Sequence, residues 1–323
     1  MAVAVHERHR IGIGAPIAGE STLDIAAQLF APVRPRSQQV FFCLPGGSLN
    51  GDYFNLQPDD GDASFSFAEQ MAARGFITVT VDHLGIGASS RPADGYALTP
   101  DVLAAANAQA MATLLEGLRT GSLSAALPAL PQAVSIGVGH SMGALLTAVQ
   151  QARFRQHAAL VLLGFGSRGL VAYLTPEQAA YADRPEATRA DIVALARAQY
   201  RSEPYPQLSM ERGGNAAAIY GGGADKRAVV AQRKAVAPIL PVPALFSMIP
   251  GSTTPDLASL DVPVFLGIGD RDLCDPYAVP KALGHCPDLT LVVLPQTGHN
   301  HFLYASRERL FERIDGWVRT AVA

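Results

Sequence analysis

The chain has 323 residues, which allows one large α/β domain carrying an insertion or two modest domains. Apolar residues make up 49% and charged residues only 16%, a balance that suits a large core under a sparsely charged surface. The formal net charge of −3 gives no electrostatic ground for nucleic acid or an anionic membrane as partner, and Cys43, Cys274 and Cys286 fit neither a disulfide framework nor a zinc site.

Residues 1–20 carry little signal beyond Ile11-Gly12-Ile13-Gly14, which reads as the start of an edge strand, and Thr22 to Phe30 reads as a second strand. Val40-Phe41-Phe42-Cys43-Leu44 is a continuous apolar run with β-branched and aromatic members, the pattern of a strand buried on both faces, and it stops at Pro45-Gly46-Gly47-Ser48. A short helix is predicted over Ser66 to Arg74, ended by Gly75. Phe76 to Asp82 is the next buried strand and runs into the glycine-rich His83-Leu84-Gly85-Ile86-Gly87-Ala88-Ser89. Thr99 then stands as N-cap with Pro100 at the first helical position, and Leu103, Ala106, Ala110, Leu114 and Leu118 follow at helical spacing up to Gly121. Val134 to Gly139 is a strand, a helix follows to about Phe154, and Ala158 to Leu163 is another strand.

From about Gly169 to Leu257 the strand-like runs disappear. Helical stretches around Glu186 to Tyr200 and Asp225 to Val236 sit among prolines and glycines; Gly221-Gly222-Gly223 reads as a hinge, and Lys226, Arg227, Arg233 and Lys234 as one solvated helix face. Strand texture returns at Val262 to Ile268 and Leu289 to Leu294, and Phe302 to Val318 reads as a closing amphipathic helix. Strands alternating with helices predict an α/β fold, a mostly parallel eight-stranded sheet covered by helices on both faces. The expected division is a core of residues 1–168 and 258–323, with residues 169–257 as a helical cap inserted over the sheet's carboxyl edge, where open α/β sheets bind ligands. No stretch after Met1 to Arg10 resembles a secretory signal and no run of 18 apolar residues exists, so a soluble, cytoplasmic chain without a membrane partner is expected.

The chemistry is concentrated in Gly139-His140-Ser141-Met142-Gly143. A strand precedes this G-x-S-x-G and a helix comes after it, the context that presents a serine hydroxyl at a sharp turn. A serine needs a base, and the base an orienting acid, further along the chain. Two loops leaving predicted strands at the same edge offer them: Gly269-Asp270-Arg271-Asp272-Leu273-Cys274-Asp275-Pro276, and Pro295-Gln296-Thr297-Gly298-His299-Asn300-His301-Phe302.

With these loops the chain resembles an α/β-hydrolase fold serine hydrolase with a cap insertion, over roughly residues 20–165 and 258–320. Asp82 to Ser89 is similar to the family's D-x-R-G-x-G-x-S loop, with Leu84 in place of the usual arginine. Pro263 through Pro276 resembles P-V-x-x-x-x-G-x-x-D-x-x-x-P, which implies Asp272 as the acid, with Asp270 and Asp275 as rivals. Gly298-His299-x-x-Phe302 matches G-H-x-x-F and implies His299 as the base, with His301 its rival. The His299/His301 pair also has a metal-ligating look, but no further ligands stand at helpful spacing, and neither metal nor cofactor is expected. The resemblance implies an oxyanion hole formed by the backbone N–H of Met142 and one from Gly46 or Gly47, between which the sequence does not choose.

The expected activity is that of a carboxylic ester or lactone hydrolase acting on an apolar small molecule through an acyl-enzyme. Thioesterases and C–C bond hydrolases use the same residues, and a non-catalytic small-ligand receptor on this fold would retain them. His140, Ser48, Phe246 and Met248 are the expected substrate contacts, and a homodimer is compatible with the sequence.

Overall fold

The structure is a computed structural model and describes residues 5–208, 219–220 and 222–322. Its centre is one eight-stranded sheet of β1 (Val5–Ile13), β2 (Leu23–Ala31), β3 (Gln39–Leu44), β4 (Ile77–Val81), β5 (Val134–His140), β6 (His157–Leu163), β7 (Val264–Gly269) and β8 (Leu289–Leu294), in the order β1-β2-β4-β3-β5-β6-β7-β8. β2 pairs antiparallel with both neighbours, and every other pairing is parallel.

Side-chain alternation along the central strands supplies two cores. Val40, Phe42 and Leu44 of β3 join one core cluster with residues of α2 (Pro100–Thr120) and α3 (Met142–Phe154). Phe41 and Cys43 point the other way, into a second cluster with α1 (Phe67–Ala73) and the closing helix Arg307–Ala321. Helices therefore cover both faces, which is why the inner strands are continuously apolar. The caps of α1 and α2 form as their sequences predict: Ser66 accepts from Glu69 N–H at 3.0 Å and Thr99 from Val102 N–H at 3.2 Å.

Three elements differ from expectation. β1 is longer than Ile11 to Gly14 suggested, because Val5 to Ile13 pair with β2 at all nine positions while the polar His6, Arg8 and Arg10 are exposed. The closing helix starts at Arg307; Phe302 belongs to a 3-10 turn before it and stacks on Tyr53 and Phe67 in the core. The proline-rich stretch forms a helix, Pro241–Met248, with Pro241 and Pro243 in the first turn, where the missing N–H groups would have had no intrahelical partner.

Between β6 and β7 the described residues form helices and no strand of the sheet; the longest helix is Pro185–Gln199, followed later by Lys226–Arg233 and Pro241–Met248. Ile192, Leu195, Val242 and Leu245 continue the core cluster of α2 and α3. Lys226–Arg233 is ion-paired rather than merely solvated: Arg227 reaches Asp60 at 2.5 Å and Lys234 reaches Asp59 at 2.8 Å. Such solvent-screened pairs contribute little, so apolar burial does most of the anchoring. Of the glycine hinge, Gly221 lies outside the described residues. No helix among the described residues is long and apolar enough to cross a membrane.

Candidate active site

Because β5, β7 and β8 run parallel, the loops at their carboxyl ends emerge at one edge. Ser141 comes directly after β5, in the turn to α3, with φ 55° and ψ −121°. The turn is held by Ser141 N–H donating to Leu163 O at 2.8 Å and Ala144 N–H donating to Ser141 O at 2.9 Å. The flanking glycines answer a demand for space. A Cβ on Gly143 would lie 2.1 Å from Leu44 O, and one on Gly139 would lie 2.4 Å from the Ala144 Cα. Only a bare backbone lets strand and helix cross this closely.

The loops after β7 and β8 are laced together. Asp270 accepts from Thr297 N–H at 3.0 Å, and Arg271 N–H donates to Thr297 O at 3.0 Å. Asp270 is therefore a brace between the loops, and Asp275 accepts from Tyr277 N–H at 2.8 Å. Asp272 is the carboxylate that reaches the histidine: His299 Nδ1 lies 2.7 Å from its Oδ1, and His299 Nε2 lies 2.9 Å from Ser141 Oγ. With the ring proton on Nδ1 and donated to the carboxylate, Nε2 is a lone-pair acceptor facing the serine hydroxyl.

The Asp272 side chain has no exposed surface and His299 keeps 11%. Burial alone would push the Asp272 carboxyl up, yet His299 and His301 hold it well below the usual carboxylate range. His301 contributes through Nε2, 3.1 Å from Asp272 Oδ2. Cys274 N–H adds a bond to Oδ1 at 3.1 Å, and the Cys274 thiol donates to Gly164 O at 3.3 Å. The contact between His301 and the acid escaped sequence reasoning, which weighed His301 only as a rival base or metal ligand. Its spacing of two from His299 on one short loop was the available signal.

The loop after β3 lies against the serine turn. Gly46 is buried, and a Cβ there would sit 2.8 Å from His140 Nδ1 and 3.2 Å from Ser141 Cβ. Gly47 is partly exposed, with Ile239 and the Met142 sulfur around its open side at 3.6 and 3.9 Å. His83 Nε2 donates to Pro45 O at 3.0 Å. Ala237 N–H donates to Ser48 O and Asn50 N–H to Ala235 O, both at 2.9 Å, so the segment after Lys226–Arg233 is tied to this loop. Asp82 braces the neighbouring glycine-rich loop, accepting from Gly51 and Ala88 N–H groups at 2.7 Å each.

The expected substrate contacts are corrected in part. His140 is buried; its Nε2 donates to His299 O at 2.9 Å, and its ring lies 4.6 Å from that of Tyr53, so it supports the histidine loop rather than lining a cavity. Burial, with the neighbouring His299 and His301, keeps its pKa well below the usual value. Phe246 is fully buried under the Arg189 guanidinium and is a packing residue. Ser48 is buried with its carbonyl bound to Ala237, and Met248 is half-buried with its carbonyl accepting from Leu170 N–H at 2.8 Å. Ile239, over Gly47 and Met142, was not anticipated, because an isolated isoleucine in a proline-rich stretch has no distinguishing pattern.

A strand–turn–helix serine, faced by a histidine and an aspartate from later loops of a mostly parallel sheet, defines a class of fold that sequence comparison can check. The alpha/beta hydrolase family model matches residues 41–313, and the chain belongs to that family. No match is found among curated protein sequences. Among solved structures, the chain is similar to a thermostable carboxyl esterase from Bacillus coagulans, with TM-score 0.67 and 14% identity over 98% of this chain and 99% of that one. It is also similar to a proline iminopeptidase from Mycobacterium smegmatis, with TM-score 0.60 and 16% identity over 98% of both chains. The thioesterase domain of the curacin biosynthetic pathway gives TM-score 0.51 and 17% identity over 96% and 99%. At these identities the likeness is one of fold.

Proposed function

We propose that the protein is a serine hydrolase that cleaves a carboxylic ester or lactone of an apolar small molecule. The observation that carries this reading is the unbroken row Asp272–His299–Ser141, with spacings of 2.7 and 2.9 Å. Ser141 attacks the carbonyl carbon as His299 Nε2 takes its proton, and Asp272 stabilises the imidazolium that forms. The proton passes to the leaving oxygen, and water, activated by the same ring, releases the acid. Met142 and Gly47 N–H groups stabilise the oxyanion; the exposure of Gly47 beside Met142, against the burial of Gly46, supports Gly47 as the second donor.

The described residues between 169 and 257 act as a cap over this edge, and Ile239 with Met142 forms an apolar wall beside the oxyanion loop. That wall favours an uncharged, apolar acyl group or ring. The esterase among the similar folds is in keeping with this reading, and the thioesterase domain marks thioesters as the neighbouring chemistry.

A panel of chromogenic esters, lactones and thioesters of graded size tests the proposal together with a fluorophosphonate probe. The wild type should turn over at least one apolar ester and be labelled at Ser141, and Ser141→Ala should lose both. Full turnover by Ser141→Ala, or labelling elsewhere, would overturn the assignment. Binding of the panel without hydrolysis would mark a receptor.

A further inference from the structure

Asp272 is gripped from two sides by one loop. His299 and His301 alternate with Asn300, whose side chain turns away to Gln232 at 2.9 Å, so the two imidazoles converge on opposite oxygens of one carboxylate. His301 has no exposed surface, and its Nδ1 has no hydrogen-bond partner among the described residues. A proton there would be a buried donor with nothing to accept it, whereas a bare lone pair costs less. The carboxylate accepts a hydrogen bond from Nε2–H, so the ring is fixed as the neutral Nε2–H tautomer. Packing alone does not account for this choice, since phenylalanine would fill the site without leaving a buried nitrogen unpaired.

We infer that His301 is a positioning residue: its Nε2–H anchors Asp272 Oδ2, keeps the carboxylate aimed at His299 Nδ1, and takes a share of the negative charge that His299 would otherwise face alone. The inference rests on the acyl-enzyme reading above. The titratable groups facing this pair are His299, His140 from the serine turn, Cys274 from the acid's own loop, Tyr53 from the turn Gly51–Asn55, and Tyr304 just past His301. Burial raises the Cys274 thiol and the Tyr53 and Tyr304 phenols, and lowers His140. None of those four changes charge where the acid limb of activity falls. Without the His301 donor, Asp272 carries more unshared charge toward His299 and stabilises its imidazolium more strongly. His299 is then protonated, and lost as a base, at higher pH.

The test uses full-length protein and the best ester from the panel, normalised to sites labelled by the fluorophosphonate. In His301→Phe the acid limb of kcat/KM should move up by about half to one pH unit, and the plateau should fall about ten- to a hundredfold. His301→Gln, whose amide N–H reaches the same oxygen, should return the limb to its wild-type position and recover most of the rate. A Phe limb that coincides with wild type, or a Gln limb displaced as far as Phe, would overturn the inference. Should His301→Phe fail to fold, 15N-histidine spectra of the wild type at the assay pH decide the matter: His301 must be the neutral Nε2–H tautomer, and an Nδ1–H or doubly protonated ring sinks it. Those spectra need no turnover, so they separate failure of this inference from failure of the hydrolase reading, which an unlabelled wild-type Ser141 would signal.

Discussion

Ser141 occupies a backbone region that a side-chain-bearing residue enters only at a cost of roughly 1–3 kcal/mol. The Leu163 and Ala144 backbone bonds impose that conformation so that the hydroxyl stands clear of the sheet toward His299. Ser141→Gly should therefore unfold at a higher denaturant concentration than wild type, by about 1 kcal/mol, while losing all labelling; a lower midpoint would show that the turn is unstrained. Asp272→Asn keeps the side chain's size and removes its charge, and should lower kcat about 10³- to 10⁴-fold with little change in KM, read on the same ester. Ser141 was legible because its turn demands glycines on both sides, whereas Asp272 and His299 were legible only through the resemblance of their loops to the family's patterns. His140 and Phe246 were misread for another reason. Whether an imidazole or phenyl ring faces a cavity or a core is decided by tertiary packing, which their neighbours in sequence do not disclose.

Among the elements, the site depends on how closely α3 crosses β3 and β5. Gly143→Ala would set a methyl 2.1 Å from Leu44 O and 2.5 Å from Pro45 O, both backbone atoms that cannot swing aside. The variant should lose more than about 3 kcal/mol in chemical unfolding, or fail to accumulate as folded protein. Gly316 is the contrast. It lies within the closing helix with nothing within 4 Å of a Cβ, so Gly316→Ala should gain about 0.5–1 kcal/mol with unchanged ester turnover. The same physics explains which elements the sequence disclosed. Buried parallel strands announce themselves as apolar runs, and α2 carries its caps in Thr99, Pro100 and Gly121. β1 was hidden because an edge strand exposes one face and here places Glu7, Arg8 and Arg10 among its residues. The Pro241–Met248 helix was hidden because two prolines look like breakers until both are placed in its first turn.

For the molecule as a whole, burial of neutral histidines sets a limit on acid tolerance. His83, behind the Pro45 carbonyl, is lowered to about 4 by burial, and His157, beside Ser135 at the start of β6, to about 3. His140 is well below the usual value for the same reason. In the unfolded chain all three take up protons near pH 6.5, so between there and about pH 4 the unfolded state binds up to three more protons than the fold. Stability then rises with pH: His83 and His157 contribute up to about 3 kcal/mol per pH unit, so roughly 4 kcal/mol is lost by about pH 5 relative to neutral, and His140 acts in the same direction. That loss is a large fraction of a typical domain's stability. Asp272 does not offset it. Its depressed carboxyl contributes stability that is complete above the ordinary aspartate range and disappears only on further acidification. Guanidinium midpoints should therefore fall steeply from about pH 7.5 to about pH 5.5. In His157→Gln, far along β5 and β6 from Ser141, the fall should be distinctly shallower. Midpoints that stay level over that range would mean the buried rings are already compensated in the fold, and an unchanged slope in His157→Gln would remove this histidine from the explanation.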